Sequence, residues 1–201
     1  MFASNPEPIF SFEASEQDQQ VLKEIASSKS ETSDNPVNAD YSKVIVKKPW
    51  GYEYLAFDNQ QTAIWVLHIA RKRKTSMHCH PKKMTSMVLL TGEALCSTFH
   101  QRSWLNGLDA IILDKGVFHS TQALSTGGIN MIEIETPPVK TDLLRLDDTY
   151  GRELSGYEGL SEMQRDNLEK FGHFYVEASV INEGLSCRHG EYEYVFETPV
   201  P

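Results

Sequence analysis

No stretch of this chain is long and apolar enough to span a bilayer, and no early segment joins a basic start to a short apolar core. Neither a membrane helix nor a secretory leader is therefore expected. Cysteine is scarce: Cys79, Cys96 and Cys187 are the only three in 201 residues, and they follow no regular spacing. An odd and sparse set excludes a disulfide framework and fits thiols kept in the cytoplasm. Positive charge is also in deficit. Against 28 Asp and Glu stand 19 Lys and Arg, for a formal charge of -9, which disfavours nucleic acid and anionic membrane as partners. The one local exception, Arg71-Lys72-Arg73-Lys74, reads as a solvated turn rather than a phosphate patch.

What is present is an ordinary apolar share, 40%, enough for one core. Residues 1–42 are polar, with Asp18–Ile25 as a short amphipathic helix and Ser27–Pro36 as a linker. From 43 to 152 the texture changes to short runs rich in Val, Ile, Thr and aromatics, separated by Gly, Asn, Asp and Lys. Strands are expected over Lys43–Val46, Gly51–Asp58, Thr62–Ala70, Ser76–His80, Thr85–Leu90, Ala94–Phe99, Ala110–Leu113, Gly116–Gln122 and Asn130–Glu135. Many short strands with tight turns predict an all-β jelly-roll sandwich or barrel rather than βαβ units. A polar segment runs on to Glu153. Residues 153–201 read as a short α/β extension, with a helix over Ser161–Phe171 and β-like runs at Phe174–Ile181 and Glu191–Glu197, packing on the barrel or on a neighbouring subunit.

His78 and His80 are two residues apart, so on a strand both side chains leave the same face. His119, from a neighbouring strand, would complete a facial set for one metal ion. Cys79, between them, should face the other way. His68, His100, His173 and His189 have no partner at useful spacing and read as surface or structural residues.

The segments Thr75–His80, Val88-Leu89-Leu90-Thr91-Gly92-Glu93 and Asp109–His119 together resemble the two signature motifs of the cupin superfamily. In that superfamily the first motif supplies two His and a Glu, and the second a third His. The resemblance implies a double-stranded β-helix and assigns His78, His80 and His119 as ligands of one divalent ion, zinc first, with iron, manganese or nickel as alternatives. Three positions depart from the pattern. Thr85 stands where the glutamate falls, and Leu108 and Asp114 stand where a glycine and a proline are usual.

Lys47-Lys48-Pro49-Trp50-Gly51-Tyr52-Glu53-Tyr54 and Asp142–Arg152 further resemble the cupin domain of type II mannose-6-phosphate isomerases. That likeness implies a sugar or sugar-phosphate substrate and isomerase chemistry, in polysaccharide or other carbohydrate biosynthesis, with a homodimeric assembly. Arg152 is the first choice for the phosphate, with Arg145 as a second candidate or a structural ion pair. Lys82 and Lys83, beside the His pair, are phosphate contacts or a solvated turn. Glu133 and Glu135 share one face of a strand and are candidates for the catalytic base, with a solvent-facing pair as the plainer expectation. Trp50 and Tyr150 are candidates to line the substrate pocket, or they pack between elements. Without the glutamate, a three-histidine iron dioxygenase and a non-catalytic sugar-binding cupin stand as alternatives.

Overall fold

The computed structural model describes residues 9–28, 40–177, 186–189 and 192–195. The described elements are β1 (Ile9–Phe12), α1 (Glu16–Ser28), β2 (Ile45–Lys48), β3 (Gly51–Asp58), β4 (Ala63–Ile69), β5 (Met77–Cys79) and β6 (Met84–Thr91). There follow β7 (Ala94–Thr98), β8 (Arg102–Leu105), β9 (Ala110–Leu113), β10 (His119–Ala123), β11 (Ile129–Thr136), β12 (Leu144–Asp147), β13 (Met163–Gln164), β14 (Ser186–His189) and β15 (Tyr192–Val195). The linker over Ser27–Pro36 and the outer parts of the two C-terminal β-like runs lie largely outside the described residues, as do the side chains of Cys187 and His189.

Two sheets form the body. One has the order β1-β9-β6-β11-β4-β3-β2-β13, the other β12-β5-β10-β7-β8. From β4 to β11 the chain passes back and forth between them, leaving β4, β6, β9 and β11 in the larger sheet and β5, β7, β8 and β10 in the smaller. Every pairing within these eight strands is antiparallel. This is the strand order of a double-stranded β-helix, so the all-β jelly-roll expectation holds.

Alternation explains the core. Along β4, Ala63, Trp65, Leu67 and Ile69 are buried while Ile64, Val66 and His68 are only partly covered. Leu67, Met87, Leu89 and Met131 of the larger sheet pack with Ala94, Cys96, Leu105 and Ala123 of the smaller in one cluster. Each large apolar side chain fully buried there contributes roughly 1.5–3 kcal/mol. The Pro-Trp-Gly turn has a steric reason. Gly51 (φ 154°) lies so near the His68 carbonyl that a Cβ would sit 1.9 Å from its oxygen.

The structure differs from the sequence reading in four places, the first being β8, which pairs with β7 where no strand was expected. The polar arm supplies not only α1 but also β1, which adds parallel to β9 and packs Phe10 and Phe12 on the core. The segment read as polar after Pro138 contains β12, an edge strand beside β5. No α-helix forms over 161–171. Two 3₁₀ turns, Leu160–Glu162 and Leu168–Phe171, take its place, because Met163 and Gln164 pair with β2 and Asn167 adopts a left-handed φ of 54°. Leu168 and Phe171 still pack inward, against the outer face of β3 and β4.

Candidate metal centre

His78 lies on β5 and His119 opens β10, directly opposite each other in the antiparallel ladder. His80 follows β5 by one residue on the same face, and the turn that leads into His119 is tied to it. Gly116, at φ 82°, donates its N–H to the His80 carbonyl at 2.9 Å. The three ring centroids are 4.4 to 5.5 Å apart, and one nitrogen from each ring lies within 4.8 Å of the others.

Each ring is oriented by a backbone carbonyl. Nδ1 of His78 donates to Ser76 O at 2.8 Å, Nδ1 of His80 to Asp142 O at 2.6 Å, and Nδ1 of His119 to Val117 O at 3.0 Å. A carbonyl only accepts, so the proton sits on Nδ1 in all three rings and Nε2 keeps a lone pair. Burial holds His78 and His80 well below the ordinary imidazole value, helped by their neighbouring imidazoles and Lys83. Burial likewise brings His119 down to about 4, with its bond to Val117 opposing. Neutral rings with fixed tautomers are the form that ligates a metal. His80 Nε2 is buried with no partner, an acceptor the fold leaves unsatisfied. The donor set therefore fits a divalent ion.

Cys79 faces away, packing with Phe118 and with Ile25 of α1. That helix does more than cover the sheet. Ser15 caps it and exchanges hydrogen bonds with Asp18, whose second oxygen accepts the Phe118 N–H at 2.8 Å, one residue before His119.

Beside the imidazoles lies an interior cavity of about 50 Å³ with an unusual charge content: Lys48, Glu53, Lys83, Glu133, Glu135, Lys140, Arg145 and Tyr157 line it with Trp50. Glu133 and Glu135 were expected to face solvent and instead point inward, in phase with Met131. Their cross-strand neighbours Trp65 and Ala63 on β4, Met87 and Thr85 on β6, are all interior. Lys83, expected in a solvated turn, is buried and pairs with Glu135 at 2.5 Å. Burial and the charge of Glu135 push Glu133 up to about 7. Burial works the same way on Glu135, but Lys140 and Lys83 outweigh it and hold that carboxyl below its usual range. Two neighbouring carboxylates thus titrate apart.

The remaining candidates divide. Trp50 is buried and lines the cavity. Tyr150 does not; its hydroxyl donates to the Lys74 carbonyl and its ring packs beside Arg73 and Arg152. Lys82 is exposed, with only its backbone N–H engaged by Asp142. Arg145 and Arg152 are both ion-paired to Glu158, and Arg152 also to Asp148. Sequence reading missed Lys48, Glu53, Lys140, Tyr157 and Glu158. For Lys48 and Glu53 a signal existed, because they flank Pro-Trp-Gly in β2 and β3. Nothing in the local pattern marks Tyr157, which reaches the cavity from a segment without regular structure, or Glu158 beside it.

No protein-family model matches the sequence, and no curated protein does. Solved structures resemble the chain in outline. They include KdgF from Halomonas sp. (13% identity over 45% of this chain and 82% of that one, TM-score 0.42). A formate complex of Lactobacillus farciminis oxalate decarboxylase matches at 13% over 61% and 40% (TM-score 0.48). CapF with the inhibitor 3-isopropenyl-tropolone matches at 13% over 52% and 34% (TM-score 0.45). The class of protein is thus set by its own strand order: a double-stranded β-helix with a three-histidine group that could hold a metal. Among the described residues no helix is long and apolar enough to cross a membrane.

Proposed function

We propose that His78, His80 and His119 hold one divalent metal ion, zinc first, and that the protein carries out isomerase- or epimerase-type proton transfer on a small sugar or sugar phosphate. The observation that supports this reading is the triple Nδ1–carbonyl pinning, which leaves Nε2 bare on three rings gathered from two segments. Bound there, a metal supplies Lewis acidity to a carbonyl or hydroxyl oxygen. Glu133, balanced near neutrality, is suited to take a proton from carbon and return it, while Glu135 stays ionised against Lys83. The sugar part of the proposal rests on the resemblance of Lys47–Tyr54 and Asp142–Arg152 to type II mannose-6-phosphate isomerases, with 43–152 as the barrel and 1–42 and 153–201 as flanking segments. At about 50 Å³ the cavity is small for a ligand site, so a sugar requires its mouth to widen. We also propose a cytoplasmic homodimer; Trp104, 55% exposed on edge strand β8, is suited to such a contact.

A second reading has its own support. Among the described residues no carboxylate joins the three histidines, and a small cavity beside a neutral ligand set suits iron with dioxygen. Elemental analysis of protein purified without added metal, followed by turnover tests, separates the two. Zinc or manganese with oxygen-independent conversion of a sugar or sugar phosphate supports the first. Iron with substrate-dependent oxygen uptake replaces it with the second. Unchanged ligand affinity in His78→Ala and His119→Ala proteins would reject both in favour of a binding protein.

A further inference from the structure

Glu158 is held by three cations at once. One oxygen accepts from Arg145 Nη2 at 2.8 Å and from Arg152 Nη1 at 2.5 Å, and the other is paired with Lys48 Nζ. The three come from separate elements: Lys48 from β2, Arg145 from β12, and Arg152 from the segment beyond it. Two of them have a second carboxylate. Lys48 keeps Glu53 at 3.3 Å and Arg152 keeps Asp148 at 2.8 Å, whereas Glu158 is the only carboxylate ion-paired with Arg145 among the described residues. Even so, Arg145 Nε is buried without an acceptor, although the side chain is 4% exposed. A guanidinium fork with one prong idle is a site for a second oxyanion oxygen.

Position matters as much as charge. Lys48 and Arg145 line the histidine cavity on one side. On the other side an outer cleft of about 270 Å³ is lined by Arg145, Arg152, Gly156, Tyr157 and Glu158. Arg145 and Tyr157 line both, so these side chains divide the cavity from the cleft, and Glu158, on the cleft side, is paired with Arg145 and with Lys48 of the cavity wall. The residues that carry it lack regular structure from 149 to 159, and they are bracketed by Leu154 and Leu160, which are 51% and 63% exposed. Little apolar burial anchors either side of the segment, and Tyr157 is its one buried hydrophobic residue.

We propose that Lys48, Arg145 and Arg152 form a phosphate site whose resident occupant is Glu158, and that a phosphate-bearing ligand binds by exchange with this carboxylate. Withdrawal of the 153–160 segment then joins the cleft to the cavity and opens the way to the histidines. The idea deepens the sugar-phosphate reading and rests on it for the ligand's identity, but the exchange is measurable without metal or turnover.

The test uses the metal-free full-length chain with inorganic phosphate, and chloride at matched ionic strength as control. In Glu158→Gln protein, phosphate should raise the melting temperature while chloride does not, and the wild type should need at least tenfold more phosphate for the same shift. Wild-type protein is also followed by hydrogen exchange. Saturating phosphate should speed exchange over 153–160, as the segment gives up its place. Acetate, a single carboxylate, should do this less well than phosphate; equal effects would reassign the site to carboxylates and overturn the phosphate proposal. Unchanged exchange over 153–160 would overturn it too, whether or not the variant folds, and so would a Glu158→Gln protein that melts identically in phosphate and chloride. Failure here leaves the metal reading intact, and loss of the metal reading leaves the exchange result standing.

Discussion

Glu135 faces Thr85 directly across the β11–β6 ladder, both with 1% of their surface exposed. Thr85 occupies the place where the resembled motif carries its glutamate, so the carboxylate missing from β6 reappears one strand away on the same interior face. It has a different job: Lys83 takes Glu135 Oε1 at 2.5 Å, while Oε2 and Thr85 Oγ1 are both buried without partners. The charge of the absent ligand is spent on a buried ion pair rather than offered to the histidines.

That pair is predicted to be costly to split. Lys83→Met leaves Glu135 with only Lys140, 3.5 Å away, and should destabilise the protein by about 3 kcal/mol. The double variant Lys83→Met with Glu135→Leu should recover most of the loss, since no uncompensated charge remains. Urea unfolding of the two proteins checks this; equal losses would mean that the pair is not what holds Glu135 in place.

Glu133 should make its own pH signature. Its folded value of about 7 lies above the unfolded 4.5, so folding takes up a proton between them. The stability it allows is fully present below pH 4.5 and is lost as pH rises through 7. Glu133→Gln has nothing to ionise. Its melting temperature should exceed the wild type's at pH 8, and the gap should close at pH 5.

For His119 the sign is opposite. Its folded value of about 4 lies below the unfolded 6.5, so the unfolded chain binds the extra proton. Stability is intact above pH 6.5 and falls as pH drops toward 4, by up to about 3 kcal/mol from this ring. Metal-free His119→Gln protein should show a flatter decline over that window, and metal content, about one ion per chain in the wild type, should fall sharply in the variant. A decline as steep as the wild type's would exclude the ring as its source.

Asp18 links the arm to the site. Asp18→Ala removes both the partner of Ser15 at the start of α1 and the acceptor of the buried Phe118 N–H. A loss of about 1–3 kcal/mol is expected, with faster exchange of the Phe118 amide. Zinc affinity should weaken by roughly tenfold as His119 loses its support.

Leu108, standing where a glycine is usual, does adopt a left-handed φ of 77° and is 57% exposed. Leu108→Gly should therefore stabilise slightly, by about 0.5–1 kcal/mol, strain relief outweighing the added freedom of the unfolded chain. A lower midpoint in urea would show that its exposed side chain does more than tolerate the turn.

The sequence by itself placed most of the central strands, though not β1, β8 or β12, and grouped the three histidines. Residues alternating along Ala63–Ile69 and Ile129–Thr136 fix a period of two, and His78 and His80 share a face by the same arithmetic. Period does not give sign, however. Which of the two faces of β11 turns inward depends on the strands beside it, so Glu133 and Glu135 could be placed together by the sequence but not placed inside. Burying them needs Lys83 and Lys140, and burying Lys48 needs Glu53 and Glu158, partners as much as 110 residues away. An ionic interior is tolerated only when opposite charges meet there, and that meeting is made by the fold, not by any local run of residues.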